Sequence, residues 1–202
     1  SAASDVYKRQ HGSNTTRVLK PMEEILRDRN RQLEKTELIG LCRKDMELLS
    51  SYYQKEITAM HIAVRTSLPD NPLFIDGNAE QLGKTIMSLL NNGMYAIAKK
   101  YGKKAYPAEI GLALESKDGQ AVIRLYDNGV GIEQSILDKI FDPFFTTKTT
   151  GEAAGIGLYL SKEIILNHHG QIAVRSEKDE LTEFTITLPL WEEKSCLLYT
   201  SP

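Results

Sequence analysis

The chain switches several times between helical and strand-like spacing of its apolar residues, and each switch marks an element. Over residues 17–36, Val18, Met22, Ile25, Leu26 and Leu33 form a thin apolar stripe through a strongly charged segment, which predicts an amphipathic helix in need of a partner. A second helical stretch is expected over residues 37–58, with Leu38, Leu41, Leu48 and Leu49 on its buried side. Short strands are expected at 61–65 and 73–75, on either side of the turn cluster Leu68-Pro69-Asp70-Asn71-Pro72. A long helix then covers residues 79–100, with Leu82, Ile86, Leu89, Leu90 and Ile97 as its buried stripe.

From there the period shortens to two. Residues 109–115 and 121–127 read as strands joined at the hairpin signal Lys117-Asp118-Gly119. In the second strand, Val122, Arg124 and Tyr126 face one way and Ile123, Leu125 and Asp127 the other. A short helix near 134–141, a helix over about 156–169, and strands at 171–176 and 183–190 complete the domain. Hairpin-linked strands with helices in blocks predict an α+β fold, a two-layer sandwich in which one mixed sheet is covered on one face by helices.

Composition narrows this picture. With 202 residues, 41% of them hydrophobic, the chain can bury a proper core, and one compact domain is expected. Basic and acidic residues nearly cancel, 25 against 27, so no bulk attraction for nucleic acid exists and any anion site must be local. Cys42 and Cys196 are too far apart in sequence for a metal-type pair, and a reducing compartment fits best. No apolar run approaches the roughly 20 residues that cross a bilayer. The opening SAASDVYKRQ and closing SCLLYTSP match nothing in their neighbours' periodicity and read as translated adaptor sequence. Residues 1–16 and 192–202 are accordingly expected to be non-native or disordered ends.

Four segments carry candidate chemistry. On the long helix, Lys84, Ser88 and Asn92 step by four along one face; an amide oxygen in that row can ligate Mg²⁺, although taken alone the row is better explained as a solvated face. Asp127-Asn128-Gly129-Val130-Gly131-Ile132 follows a strand. Its glycines let backbone approach a ligand, and its carboxylate can accept from an exocyclic amine, but Asp-Asn-Gly is also an ordinary turn. Ile140-Phe141-Asp142-Pro143-Phe144-Phe145-Thr146-Thr147-Lys148 is either plain core or a loop that brings a lysine to a phosphate. Gly151-Glu152-Ala153-Ala154-Gly155-Ile156-Gly157-Leu158 runs into a helix N-terminus, an anion site by its free N–H groups, or is simply a flexible linker.

Taken in order, these segments resemble the N, G1, F and G2 boxes of the GHKL superfamily, specifically its sensor histidine kinases, over roughly residues 37–190. The stretches Glu163–Ile172 and Thr182–Pro189 are similar to the family's closing helix, turn and strand. The resemblance implies the GHKL histidine-kinase ATPase fold for residues 37–191, and a remnant of the dimerising, phosphoacceptor helical hairpin for 17–36. It implies ATP and Mg²⁺ as ligands, with Asn92 holding the metal and Asp127 binding the adenine amino group. Gly129 and Gly131 would fold around the base, Lys148 would reach the phosphates, and Gly155, Ile156, Gly157 and Leu158 would shape the lid. Tyr95, Lys99 and Thr182 are further nucleotide neighbours, and Ser88, Asn92 and Lys148 the candidate catalytic set. The implied partners are a response regulator and, through the upstream hairpin, a second copy of the full-length protein. A cytoplasmic domain is implied, whether or not the intact protein is anchored in the bacterial inner membrane.

The sequence departs from the family at three places: Ser88 stands where a first asparagine is usual, and Ala153 and Leu181 replace glycines. A Walker A loop is a near miss at Gly77–Thr85, with five residues between the glycines instead of four. A hydrolytic ATPase of the gyrase type would need a glutamate at Ser88 as general base. An anti-sigma-like serine kinase and a nucleotide-binding pseudokinase remain as alternatives. Of the histidines, His11 lacks the acidic residue and proline that follow a phosphoacceptor, His61 is expected in a strand, and His168 and His169 at a helix end where cations suit the dipole.

Overall fold

The computed structural model describes residues 33–147 and 155–192. In chain order the elements are β1 (Glu34–Glu37), α1 (Leu38–Tyr52), α2 (Gln54–Met60), β2 (Ala63–Ser67), β3 (Phe74–Gly77), α3 (Ala79–Tyr101), β4 (Glu109–Lys117) and β5 (Gln120–Asp127). A 3₁₀ turn (Gln134–Lys139), α4 (Gly157–Asn167), β6 (Gln171–Glu177) and β7 (Leu181–Pro189) follow. Five strands form one mixed sheet in the order β2-β4-β5-β7-β6, antiparallel except for the β2–β4 pair, and β1 pairs with β3 in a separate small ribbon. Among the described residues no helix is long and apolar enough to cross a membrane.

The core lies between that sheet and the helices. Along β5 the alternation is as expected: Ile123, Leu125 and Asp127 are buried, whereas Arg124 and Tyr126 are half-exposed. Against that face packs α3, whose Leu82, Ile86, Leu89, Leu90 and Ile97 are all buried. Burying these large aliphatic side chains, each stabilising by about 1.5–3 kcal/mol, fixes α3 across the sheet. Its N-terminus is capped by Asn78, whose side chain accepts from Gln81 N, the arrangement that satisfies an otherwise orphaned donor. Gly83, Lys84 and Thr85 lie within this helix, which removes the Walker A reading.

Four local expectations need correction. Residues 34–36, expected at the end of a helix, belong to β1, where Thr36 pairs opposite Ile75 and its hydroxyl donates to the Gly77 carbonyl. The stretch expected as one helix over 37–58 is two, broken at Tyr53. Leu48 faces outward at 47% exposure, and the inner face of α1 instead carries Cys42, Asp45 and Met46 beside Leu38 and Leu49. His61 caps α2 in the left-handed region rather than entering β2.

His168 also departs from expectation. It is buried at the end of α4, its Nε2 accepts from the Asn78 amide at 2.9 Å, and Nδ1 lies 2.7 Å from the Ile164 carbonyl. A ring that accepts at Nε2 and donates from Nδ1 is neutral, and burial lowers its pKa further. It therefore ties α4 to the start of α3 as a neutral hydrogen-bonding group, not as a cation at a helix end.

Asp45 is the uncomfortable member of the core. It is 3% exposed, its Oδ2 has no hydrogen-bond partner, and burial raises its pKa to about 6 against the opposing pull of Lys44. The folded state thus holds this proton more tightly than the unfolded chain does, so the contribution of Asp45 to stability is greatest below its ordinary value of 3.8 and is lost as pH rises through about 6. Asp45→Asn is expected to flatten that dependence and to raise Tm at alkaline pH by roughly 2–4 °C, the shift produced by about 1 kcal/mol in a domain of this size. Thermal melts of both proteins across the pH range check this; an unchanged or lower Tm at alkaline pH would contradict it.

Candidate functional site

Three structural choices open a cavity of about 480 Å³ between α3, the end of β5 and the segment leading into α4. The first is the close approach of α3 to the turn after β5. A methyl group on Gly129 would lie 2.5 Å from the Ala96 carbonyl carbon and 2.7 Å from the Ile97 nitrogen, so only a residue without Cβ fits. The second is Gly131, whose φ of +68° reverses the chain where a Cβ would meet the Glu177 carbonyl oxygen at 2.3 Å. Between them Val130 is held on both sides, its amide donating to the Ala96 carbonyl at 3.3 Å and its carbonyl accepting from the Asp179 amide at 2.8 Å.

The third choice is Asp127 itself. It ends β5 on the buried side, opposite Thr182 of β7, and is 5% exposed. Its Oδ1 accepts from the Gly129 amide at 2.9 Å, and a Cβ on Gly93 would lie 3.2 Å from Oδ2, so the carboxylate rests against the backbone of α3. Burial raises its pKa to about 7, opposed by the Gly129 hydrogen bond and by the charge of Lys100. A buried, cleft-lining carboxylate with one oxygen committed and a strongly raised pKa is a candidate for ligand recognition.

Around the same cavity stand Asn92, Tyr95 and Lys99 from α3, Gly131 from the turn, Thr182 from β7, and Gly155, Ile156, Gly157 and Leu158 at the start of α4. Of the residues singled out from the sequence, these nine, with Asp127, share one space. Among the described residues no side-chain cap is made at Ile156, and the first residues of α4, Gly157 and Leu158, line the cavity. Ser88 and Gly129 do not line it. Gly129 acts from behind, as spacer, and Ser88 sits half-buried next to Gly157, where a Cβ would be 3.2 Å from its Oγ. Lys148 and Ala153 lie outside the described residues, as does His11.

The sequence reading missed the apolar walls. Ala96, Ile132, Ile136, Ile140, Phe145, Leu160 and Phe184 give the lining its apolar part. Some signal existed, since Ile132 and Ile136 follow the glycine turn at helical spacing, but their direction depends on the 3₁₀ turn's placement. Thr146 and Thr147 reach the cavity immediately before Lys148.

A family model described as "Histidine kinase-, DNA gyrase B-, and HSP90-like ATPase" matches residues 77–192, more than half of the chain. The chain belongs to that ATPase family. Among curated relatives, it is 34% identical to sporulation kinase D of Bacillus subtilis over 123 residues, covering 61% of this chain and 22% of that protein. It is 32% identical to the signal transduction histidine-protein kinase AtoS of Escherichia coli, over 86% of this chain and 27% of that one. The chain thus spans about a quarter of the length of these relatives. A mycobacterial sensor histidine kinase, MprB, shares the fold with a TM-score of 0.63 at 21% identity, over 78% of this chain and 97% of the compared one. The protein is an ATP-binding domain of the histidine-kinase kind, and its α+β sandwich is the fold of that group.

Gly129→Ala is expected to cost about 1–3 kcal/mol of folding stability, because the new methyl meets helix backbone that cannot rotate away. Urea unfolding of the variant checks this, and a midpoint equal to that of the parent would mean that α3 and the turn do not pack this closely.

Proposed function

We propose that this domain binds Mg·ATP in the cavity beside Asp127 and transfers the γ-phosphoryl group to a histidine on a helical hairpin upstream of it, for relay to a response-regulator aspartate. The single observation that carries the reading is the convergence, around one cavity, of a buried carboxylate, the Asn92 side chain and the N-terminus of α4. Asp127 accepts the exocyclic amine of adenine. Guanine presents a carbonyl at that edge and leaves the carboxylate unpaired, an omission costing about 1–3 kcal/mol. The apolar walls hold the base, and the N–H groups at Gly157 and Leu158 face the phosphate chain.

The donor set suits magnesium. Among the described residues no three His, Cys, Asp or Glu side chains gather into a metal cage; a magnesium ion would be held by the Asn92 amide oxygen together with the nucleotide's phosphates, a mixed oxygen environment that suits it. When bound, the metal supplies charge neutralisation of the triphosphate. The protein's share is positioning: Asn92 fixes the phosphate end, Lys148, next in sequence after Thr147, adds a second cation, and Ser88 supports the start of α4. In the transfer, the bond from the γ-phosphorus to the β–γ bridging oxygen breaks as one to an imidazole nitrogen forms, with ADP leaving. Residues 17–33, all but the last outside the described residues, are read as the stub of the hairpin, and the intact protein as a homodimer through it.

Two outcomes follow. Asp127→Asn removes the acceptor charge, and ATP affinity measured by calorimetry is expected to fall at least about tenfold with the fold intact; with binding retained but no phosphate passed to a supplied histidine-bearing hairpin, the domain is a pseudokinase instead. Because Asp127 holds its proton up to about pH 7 in the empty cavity, a ligand that needs the ionised form loses affinity as pH falls below that value, by up to about tenfold per pH unit. Adenosine, which carries no titrating phosphate, is the probe, and a flat binding profile across neutrality would remove the carboxylate from the base contact.

A further inference from the structure

Beside the cavity but not lining it, the ammonium of Lys100 bridges three elements. It sits in the last turn of α3, half-buried, and donates to the Asn128 carbonyl at 2.8 Å and to the Asp179 carbonyl in the β6–β7 turn. The ring of Tyr106 lies beneath it, 4.2 Å from Nζ to the centroid. Its partners are themselves fixed. The Asn128 side chain accepts from the Glu109 amide at 2.7 Å and donates to the Pro107 carbonyl at 2.8 Å, and the Asp179 amide donates to the Val130 carbonyl. Asp179 adopts φ of +58° to present both groups.

We propose that Lys100 is a positioning residue for base selection: it clamps the Asp127–Val130 turn between α3 and the β6–β7 turn, and so sets where the Asp127 carboxylate meets the base. The proposal rests on the reading of Asp127 as the adenine contact. The geometry leaves the turn few other ties to the helix. Besides the ammonium, α3 holds it through packing at Gly129, the close approach of Gly93 to Asp127 and the 3.3 Å bond from Val130 to Ala96. The Asn128 carbonyl that Lys100 holds belongs to the residue next to Asp127, so loss of that tie acts one residue from the carboxylate. The ammonium also lies close enough for its charge to act on that carboxylate. Lys100 is distinct from its neighbour Lys99, which lines the cavity, and a lysine in the last turn of a helix ordinarily serves only the dipole.

The experiment compares ATP and GTP affinity by calorimetry in the 202-residue chain and in Lys100→Met, Lys100→Arg and Asp127→Asn. Lys100→Met is expected to weaken ATP by about tenfold, the worth of charge-assisted hydrogen bonds, with GTP changed much less, so that the preference for ATP collapses. Lys100→Arg, which keeps the charge and two donors, restores most of it. A residue that mattered only for folding would lower Tm and weaken both nucleotides in parallel, and that result overturns the proposal. So does an unchanged ATP-to-GTP ratio in Lys100→Met when Asp127→Asn has lost it. An unchanged ratio in Asp127→Asn itself overturns the reading of the carboxylate, on which the proposal rests.

Discussion

The closeness of α3 to the turn that ends β5 is the constraint on which the site depends. A helix can lie this near a turn only where Cβ atoms are missing, and Gly129 and Gly93 remove them on the two sides of the contact. The result is a carboxylate pressed against helix backbone, shielded from water and left with one hydrogen bond from the Gly129 amide. Burial of that kind is costly for an ion. On the proposed reading it is also what gives the group its discrimination, since a ligand without a donor at that place leaves the cost unrelieved. Rigidity on either side, from the sheet pairing at Thr182 and the ties at Val130 and Lys100, keeps the turn from relaxing to avoid it.

Asp45 and Asp127 make an instructive pair, because burial lifts both carboxyls. The first faces the interface of α1 and α3, with Gly83 near its oxygens, and does not line the cavity beside Asp127. The second opens onto a space large enough for a nucleotide base. A raised pKa therefore does not by itself mark a site; it does so where a cavity and converging polar groups accompany it.

Most of the sandwich was legible because its central elements carry strong periodicity. The stripe from Leu82 to Ile97 and the alternation in β5 each reflect a face buried by many side chains. Where local signal is thin, the reading failed for identifiable reasons. β1 is four residues with two exposed charges, Glu34 and Lys35, and exists because β3, some forty residues on, offers it an edge. Nothing in the composition at Tyr53 announces the break between α1 and α2, since neither glycine nor proline stands there. Leu48 looked inward by residue type, yet the burial stripe on α1 runs through Cys42 and Asp45 instead. At the site, residue types with few uses, such as the glycines and Asp127, could be found from spacing. The apolar walls and Lys100 could not, because their roles depend on which distant turn lies beside them.

The central claim is that Asp127 grips the base, and the most direct test is a crystal structure of this chain with Mg²⁺ and a non-hydrolysable ATP analogue. The account predicts the adenine amine within hydrogen-bonding distance of an Asp127 oxygen, the rings between the Ile132–Ile140 wall and α3, and the metal on the Asn92 amide. A nucleotide found elsewhere, or a base turned so that Asp127 faces no donor, would contradict it.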